Sequence, residues 1–99
     1  MKMPKGYWIG QMDVKDAEVY DTYRAANAKP FADYSAKFLV RGGKQQVEEG
    51  TWRARTVIIE FASYEDAVAC YHSDDYQNAK AIRVPVAEGS LVIVEGYES

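Results

Sequence analysis

The sequence has 99 residues, a formal net charge of -3 at pH 7 and 47% hydrophobic residues, which is typical of a single domain (residues 1–99) with a thin core. The acidic balance argues against a general nucleic-acid-binding protein, because such proteins present a basic face to phosphate groups. With one cysteine, no apolar stretch of signal-peptide length and nothing approaching the roughly 18 apolar residues of a membrane span, we expect a cytoplasmic protein without membrane contact.

The N-terminal half begins with a strand and a helix. Residues 7–14 (YWIGQMDV) predict the strand, and Asp16 has the character of a helix N-cap, with Glu18 favourably placed in the first turn. Pro30 predicts a break between a long first helical piece and a short second one. An apolar stripe follows at close to helical spacing: Val19, Tyr20, Tyr23, Ala26, Phe31 and Tyr34.

Two further strands are predicted in the middle of the chain. Residues 38–40 (FLV) form a short strand core, and the pair Gly42-Gly43 is the natural place for a bend or bulge. The run of β-branched residues at 55–61 (RTVIIEF) is the strongest strand signal in the sequence.

The C-terminal half predicts a second helical region and a closing strand. Ser63, followed by acidic residues, approximates a capping box and begins a helix whose inward residues include Tyr71. Ser73 caps a further helical turn, which Pro85 ends. After Glu88-Gly89, residues 91–95 predict the last strand.

The order of elements predicts an α+β protein of the ferredoxin-like βαββαβ type. Such a fold has a four-stranded, mainly antiparallel sheet with two helices on one face.

Alternation along the strands places large apolar side chains on both faces of this sheet. In residues 55–61, for example, Val57 and Ile59 face one side while Ile58 and Glu60 face the other. Two helices cover one face only, and leaving the second face in water forfeits about 25 cal/mol per Å2 of apolar surface. We therefore expect a homodimer that pairs through the second sheet face, the alternative being that loops and termini cover it.

Several segments together resemble a known family: RGG, EEGTW, RTVIIEF, YHSDDYQNAKAIR and VIVEG. They resemble the domain-of-unknown-function family numbered thirteen-thirty, within the dimeric α/β-barrel group. The resemblance implies a ferredoxin-like subunit that pairs through its sheet, and it implies no established reaction. The chain departs from the family pattern at Arg53-Ala54, where proline is usual, and at Cys70, where tryptophan is usual.

Glu60 is the main candidate for acid–base chemistry, because a carboxylate on a central strand is costly unless it is paired. Its candidate partners are Arg53, Arg55, Arg83, Tyr71 and Tyr76. Arg55 could hold an anion beside it, but residues five apart on a strand point to opposite faces, so Arg83 or a tyrosine fits better as a partner. The alternative is that Glu60 forms a structural ion pair.

The remaining candidates are a catalytic pair and a group of ligand-binding residues. His72 is the only histidine, and histidine is the residue type that ordinarily changes its charge near neutral pH. With Tyr71 it completes the catalytic candidates. We expect a small cleft whose ligand-binding residues are Trp52, Arg55, Tyr76 and Arg83. The basic residues of the predicted hairpin are interpreted as solvated charges of a strand edge: Arg41, Lys44, Arg53 and Arg55. No metal site is expected, since one cysteine and one histidine two residues apart do not converge on a helix.

Two functions fit these predictions. The first is an enzyme that acts on a small organic or anionic molecule by acid–base chemistry, with neither metal nor cofactor. The alternative is a non-catalytic module that binds a ligand or only forms a dimer.

Overall fold

A computed structural model describes residues 4–97. The elements are, in chain order, β1 (Gly6–Val14), α1 (Ala17–Ala26), α2 (Ala28–Asp33), β2 (Lys37–Arg41), β3 (Arg55–Phe61), α3 (Tyr64–His72), α4 (Asp74–Arg83) and β4 (Ala87–Glu95). Each helix in this part of the chain is too short or too polar to cross a bilayer.

The four strands form one sheet in the order β2-β3-β1-β4, with every neighbouring pair antiparallel. The helices fall into two groups, α1 with α2 and α3 with α4, each of which connects two strands. The predicted ferredoxin-like order of elements is confirmed.

The core lies between the helices and one face of the sheet, the inner face, which includes Trp8, Ile59 and Phe61. Trp8 is 1% exposed and its ring packs against the rings of Phe31, Phe61, Tyr71 and Tyr76. Its indole Nε1 donates to the carbonyl of Ala67 in α3 at 2.8 Å, so burial leaves no indole donor without a partner.

The predicted caps begin three of the helices. Asp16 accepts a hydrogen bond from the backbone N–H of Val19 at 3.1 Å, and Ser63 and Ser73 cap α3 and α4 in the same way. The break in the first helical region falls at Asn27, before Pro30, because proline is tolerated in the first turn of a helix.

The predicted bend at Gly42-Gly43 is confirmed at Gly42, which has φ +72, and β2 has in addition a bulge at Leu39, where the register shifts between Phe38 and Val40. One strand prediction needs correction. β4 begins four residues earlier than predicted, because its backbone pairs with β1 from Ala87 onwards despite the intervening glycine.

The second face of the sheet, the outer face, carries no helix. Its apolar residues are Tyr7, Ile9, Val40, Ile58, Val92 and Val94. Val92 is 55% exposed and Val94 is 41% exposed. In a single chain, therefore, these two valines stay exposed, although Trp52 of the segment before β3 lies beside Ile9 and Val92 on this face.

Candidate functional site

A cavity opens between the inner face of the sheet and helix α1, and we call it the sheet–helix cavity. Its floor is apolar and includes Trp8, Met12, Phe31, Val57, Ile59 and Leu91. Gly10 of β1 also lines it, and because glycine has no side chain, it leaves a space at the centre of the sheet. The cavity therefore depends on a glycine in the middle of a strand, which usually marks a close approach or a space for a ligand.

The enclosed part of the cavity is small. It offers about 40 Å3 to the centres of water-sized molecules, which is room for about three waters. The side chains around its mouth are long, and those of Arg24 and Arg41 are on exposed residues. The exposed side chains of Arg24 and Arg41 are the part of this lining that is freest to change rotamer.

Three arginines, Arg24, Arg41 and Arg55, line this mouth. Arg24 forms an exposed ion pair with Asp21 at 3.3 Å, whereas within residues 4–97 neither Arg41 nor Arg55 forms an ion pair with a carboxylate. Partial burial, followed by repulsion from Arg24 and Arg55, lowers the pKa of Arg41. The mouth thus concentrates positive charge that the described residues do not neutralise.

The bulge at Leu39 places Arg41 at this mouth. Strict alternation from Phe38, on the inner face, would turn Arg41 to the outer face. The register shift instead pairs Arg41 with Val57, an inner-face residue of β3. A bulge of this kind commonly re-aims a side chain next to a functional site.

Arg55 is held against the backbone of the turn that follows β2. Gly42 has φ +72, a conformation that favours glycine, and the Arg55 guanidinium lies against this position. The Arg55 guanidinium also lies 5.7 Å from the centre of the Tyr20 ring. Its Nε is buried without a hydrogen-bond partner in the described part of the chain.

Asn27, between α1 and α2, adds a neutral polar group to the cavity. The residue is 4% exposed and lines the cavity. Its backbone N–H donates to the carbonyl of Tyr23 at 2.9 Å, but we find no hydrogen bond of its side-chain amide to any residue between 4 and 97. Its amide atoms are not among the buried side-chain N and O atoms that lack a partner, so they are accessible from the cavity and can bond to water or to a polar group of a ligand.

A chain of three polar side chains lies behind the cavity wall. The hydroxyls of Tyr23, which lines the cavity, and Tyr76, which is buried, are 2.9 Å apart. The Nη2 of Arg83 approaches the Tyr76 hydroxyl at 3.5 Å, and its Nη1 lies 3.9 Å from the sulfur of Met12. Burial raises the pKa of Tyr76, so its hydroxyl is neutral at physiological pH.

Among the predicted ligand-binding residues, only Arg55 lines the cavity. Tyr76 and Arg83 lie directly behind its wall, and Trp52 does not line it. The Trp52 side chain is 48% exposed, and its indole donates to Thr56 Oγ1 at 2.8 Å in the segment between β2 and β3.

The predicted catalytic residues are not brought together at the cavity. Glu60 lies on the outer face, and neither Arg55 nor Arg83, both on the inner side, is its partner. Its partner is a tyrosine that was not among the candidates, Tyr7, whose hydroxyl donates to Glu60 Oε2 at 3.1 Å. Partial burial and then the Glu60 carboxylate raise the pKa of Tyr7.

His72 and Tyr71 lie at the end of α3, away from the cavity. His72 is exposed, and its ring packs edge-on against that of Tyr71 at 5.2 Å. Tyr71 packs in the core against Trp8 and Tyr76. The positions of these two residues therefore give them no shared site with Glu60.

Arg53, a predicted partner of Glu60, and Cys70 do not line the cavity either. Arg53 pairs with Asp13 at 2.8 Å and not with Glu60. Cys70 is buried, and burial raises the pKa of its thiol to about 12, so the residue is a packed thiol rather than a reactive one. Among residues 4–97, no three His, Cys, Asp or Glu side chains cluster as metal ligands would.

Sequence reasoning missed most of the cavity. Tyr20 and Tyr23 belong to the core, as predicted, but their place in the wall of the cavity was not predicted, and Arg41 was interpreted as a solvated strand-edge charge. The one available signal was Gly10, a glycine inside a strand whose flanking residues are large.

Comparison with known sequences identifies the family. The profile of the family described as Domain of unknown function (DUF1330) matches residues 5–97. The chain belongs to this family. No curated protein matches it. The DUF1330 match spans the cavity residues on both sides of the sheet–helix interface.

Solved structures similar to this DUF1330 chain share its fold at low sequence identity. A protein of unknown function from Rhodopseudomonas palustris is 16% identical, with 99% of this chain and 86% of that chain covered and a TM-score of 0.75. A dimeric ferredoxin-like protein of unknown function from Thermobifida fusca is 16% identical, with 96% and 93% covered and a TM-score of 0.63. SnoaB, a cofactor-independent oxygenase from Streptomyces nogalater, is 6% identical, with 97% and 96% covered and a TM-score of 0.64.

Proposed function

We propose that the sheet–helix cavity binds a small anionic organic molecule whose body is flat and apolar. The observation that carries this proposal is the arginine mouth, where Arg41 and Arg55 have no carboxylate partner among residues 4–97. Buried or crowded guanidinium groups are costly unless an anion accompanies them, and a carboxylate or phenolate of a ligand supplies that anion.

The interior of the cavity supports the second half of the proposal. Its floor consists of aromatic and aliphatic side chains, among them Trp8 and Phe31, and its polar groups are few. An apolar pocket with a small number of placed polar groups is the usual form of a small-molecule site. The side-chain amide of Asn27 supplies one of those groups.

The geometry favours binding over acid–base catalysis by the residues predicted from sequence. Glu60 faces the opposite side of the sheet, and His72 lies at the end of α3. A general base must reach the proton that it removes, directly or through one water. The non-catalytic ligand-binding module is therefore the better supported of the two functions.

Ligand titration by calorimetry or NMR, with benzoate as the probe, tests the proposal. Arg55→Gln removes the more buried charge of the mouth, and we expect it to weaken benzoate binding about tenfold or more, since hydrogen bonds to charged groups contribute roughly 1.5–3 kcal/mol. Lys44→Gln is the matched control. It also removes one positive charge, but from the exposed segment between β2 and β3, away from the cavity. Equal affinities for the two variants would contradict the proposal.

We also propose that the chain forms a homodimer through the outer face. The support is the uncovered apolar surface of β1, β3 and β4, together with the dimeric state named for the Thermobifida fusca protein of the same fold. Val92→Lys would place a charge in such an interface. We expect it to shift the mass measured by light scattering toward one chain, whereas Val84→Lys, on an exposed valine beyond α4, leaves the mass unchanged.

A second candidate function is oxygenation of the bound anion without a cofactor. It is favoured by the aromatic lining of the cavity and by the shared fold with the cofactor-independent oxygenase SnoaB. Arginines that stabilise a phenolate or an enolate would keep the ligand in its electron-rich form, which is the form that reacts directly with O2. An oxygen electrode tests this candidate. If phenolic probes bind but no O2 is consumed, oxygenation is contradicted and only the binding function remains.

A further inference from the structure

The chain of Tyr23, Tyr76 and Arg83 fixes the direction in which hydroxyl hydrogens point. The guanidinium of Arg83 has donors only, so its Nη2 can interact with Tyr76 solely through the lone pairs of the hydroxyl oxygen. At 3.5 Å this contact is long, and Arg83 also interacts with Tyr23, so it is the burial of Tyr76 that decides which hydroxyl donates. The Tyr76 hydrogen then points to the Tyr23 oxygen at 2.9 Å.

The reverse direction leaves a buried donor without an acceptor. If Tyr23 donated to Tyr76, the Tyr76 hydrogen would have to point elsewhere. Tyr76 is 0% exposed, and its surroundings include the rings of Trp8, Phe31 and Tyr71. Within residues 4–97 we find no other acceptor for it, and an unsatisfied buried hydroxyl is costly.

The direction from Arg83 through Tyr76 to Tyr23 leaves the Tyr23 hydrogen free. Tyr23 lines the sheet–helix cavity, and besides Tyr76 its hydroxyl interacts with Arg83, which can only donate, so the Tyr23 hydrogen has no acceptor among these neighbours. We propose that Tyr23 donates this hydrogen bond to an oxygen acceptor of the ligand, and that Arg83 is the positioning residue that orients it through Tyr76. This proposal rests on the proposed function of the cavity.

The ligand class follows from the two polar ends of the site. The anion of the ligand lies at the arginine mouth, and a second oxygen without a hydrogen of its own, such as a ketone or ester carbonyl, accepts from Tyr23. The cavity is therefore a site for an aromatic or alicyclic oxo-acid. An analogue that lacks the carbonyl binds more weakly, because it leaves the Tyr23 donor without a partner.

Two probes of matched shape, 4-acetylbenzoate and 4-isopropylbenzoate, separate this inference from the proposed function. Binding of either probe reports the cavity, and the ratio of their dissociation constants reports the Tyr23 hydrogen bond. We expect the wild-type protein to prefer 4-acetylbenzoate by about three- to tenfold, the usual worth of one neutral hydrogen bond.

Three variants test the assigned direction. Tyr23→Phe is expected to bring the ratio close to one, whereas Tyr64→Phe, which removes an exposed hydroxyl away from the cavity, is expected to keep it. Arg83→Met leaves Tyr23 intact and is expected to lower the ratio only in part, because the reverse direction still leaves the Tyr76 hydrogen without an acceptor; an unchanged ratio overturns the positioning role of Arg83. Circular dichroism checks that each variant is folded, and the ratio is independent of the fraction of active protein.

The outcomes are distinct. Binding of both probes with equal affinity by the wild-type protein overturns the role of Tyr23 and leaves the anion-binding cavity standing. A preference that survives Tyr23→Phe overturns it as well. If neither probe binds, both the proposed function and this inference fail.

Discussion

The two faces of the sheet differ in which of their residues lack partners. On the inner face most apolar residues are buried, whereas the Nε of Arg55 at the cavity has no partner among residues 4–97. On the outer face the polar residues are paired, Glu60 with Tyr7 and Asp13 with Arg53, while the apolar residues remain uncovered. The inner face is therefore suited to a polar ligand and the outer face to an apolar partner, which a second copy of the chain provides.

The largest expected effect comes from comparing two adjacent residues on opposite faces. Trp8 is buried in the core and Ile9 lies on the outer face. We expect Trp8→Ala to lower the free energy of unfolding by about 3–5 kcal/mol, through lost burial and the cavity that remains.

The matched substitution Ile9→Ala reveals what the outer face contributes. At protein concentrations below the dimer dissociation constant it should cost much less than Trp8→Ala, and at higher concentrations its cost should grow. Urea denaturation at two protein concentrations measures both values. A cost for Ile9→Ala that is independent of concentration would contradict pairing through the outer face.

The next effect concerns the space above Gly10. A Cβ at this position would lie 3.8 Å from the Met12 methyl carbon and from the Ser90 carbonyl oxygen, which is ordinary contact. Gly10→Ala should therefore fold, with a stability unchanged or raised by about 0.4–1 kcal/mol, because alanine restricts the unfolded chain. It should also weaken benzoate binding severalfold, since the new methyl group occupies part of a cavity of about 40 Å3.

Gly43→Ala is the control for this prediction. An added Cβ at Gly43 meets nothing within 4 Å, so this change alters the unfolded chain in the same way without touching the cavity. Benzoate affinity measured by calorimetry should be unchanged in Gly43→Ala. A parallel loss in both variants would indicate that the ligand binds elsewhere.

Much of the fold was predictable because its signals are local. The bounds of β3 follow from its run of β-branched residues, and α3 begins where the Ser63 cap predicts. The faces of the strands followed from alternation, which also separated Arg55 from Glu60 correctly. These features depend on residues within a few positions of one another, so they can be predicted from a single sequence.

The site was less predictable because it depends on contacts between distant segments. Arg41 lies on the same face as Arg55 only because the bulge at Leu39 reverses the face that alternation predicts for Arg41. The residues next to Leu39 carry no sequence signal for that bulge. Tyr23 has the same helical spacing as a core residue, and only the approach of Tyr76 from α4 distinguishes its hydroxyl. Both signals arise from tertiary structure, which periodicity does not record.

The smallest expected effect is a pH dependence on the outer side of β1. The Asp13 carboxylate accepts from the backbone N–H of Ala54 at 3.0 Å and from Arg53 at 2.8 Å, and these bonds, in that order, lower the pKa of Asp13. Because the folded pKa lies below the unfolded one, the contribution to stability is present above the unfolded pKa and is lost as the pH falls through the folded pKa. Asp13→Asn should therefore flatten the dependence of the melting temperature on pH below about 4. Asp21→Asn, which removes an exposed acid on α1, should leave that dependence as in the wild type, and equal flattening by both variants would show that Asp13 does not anchor the segment before β3.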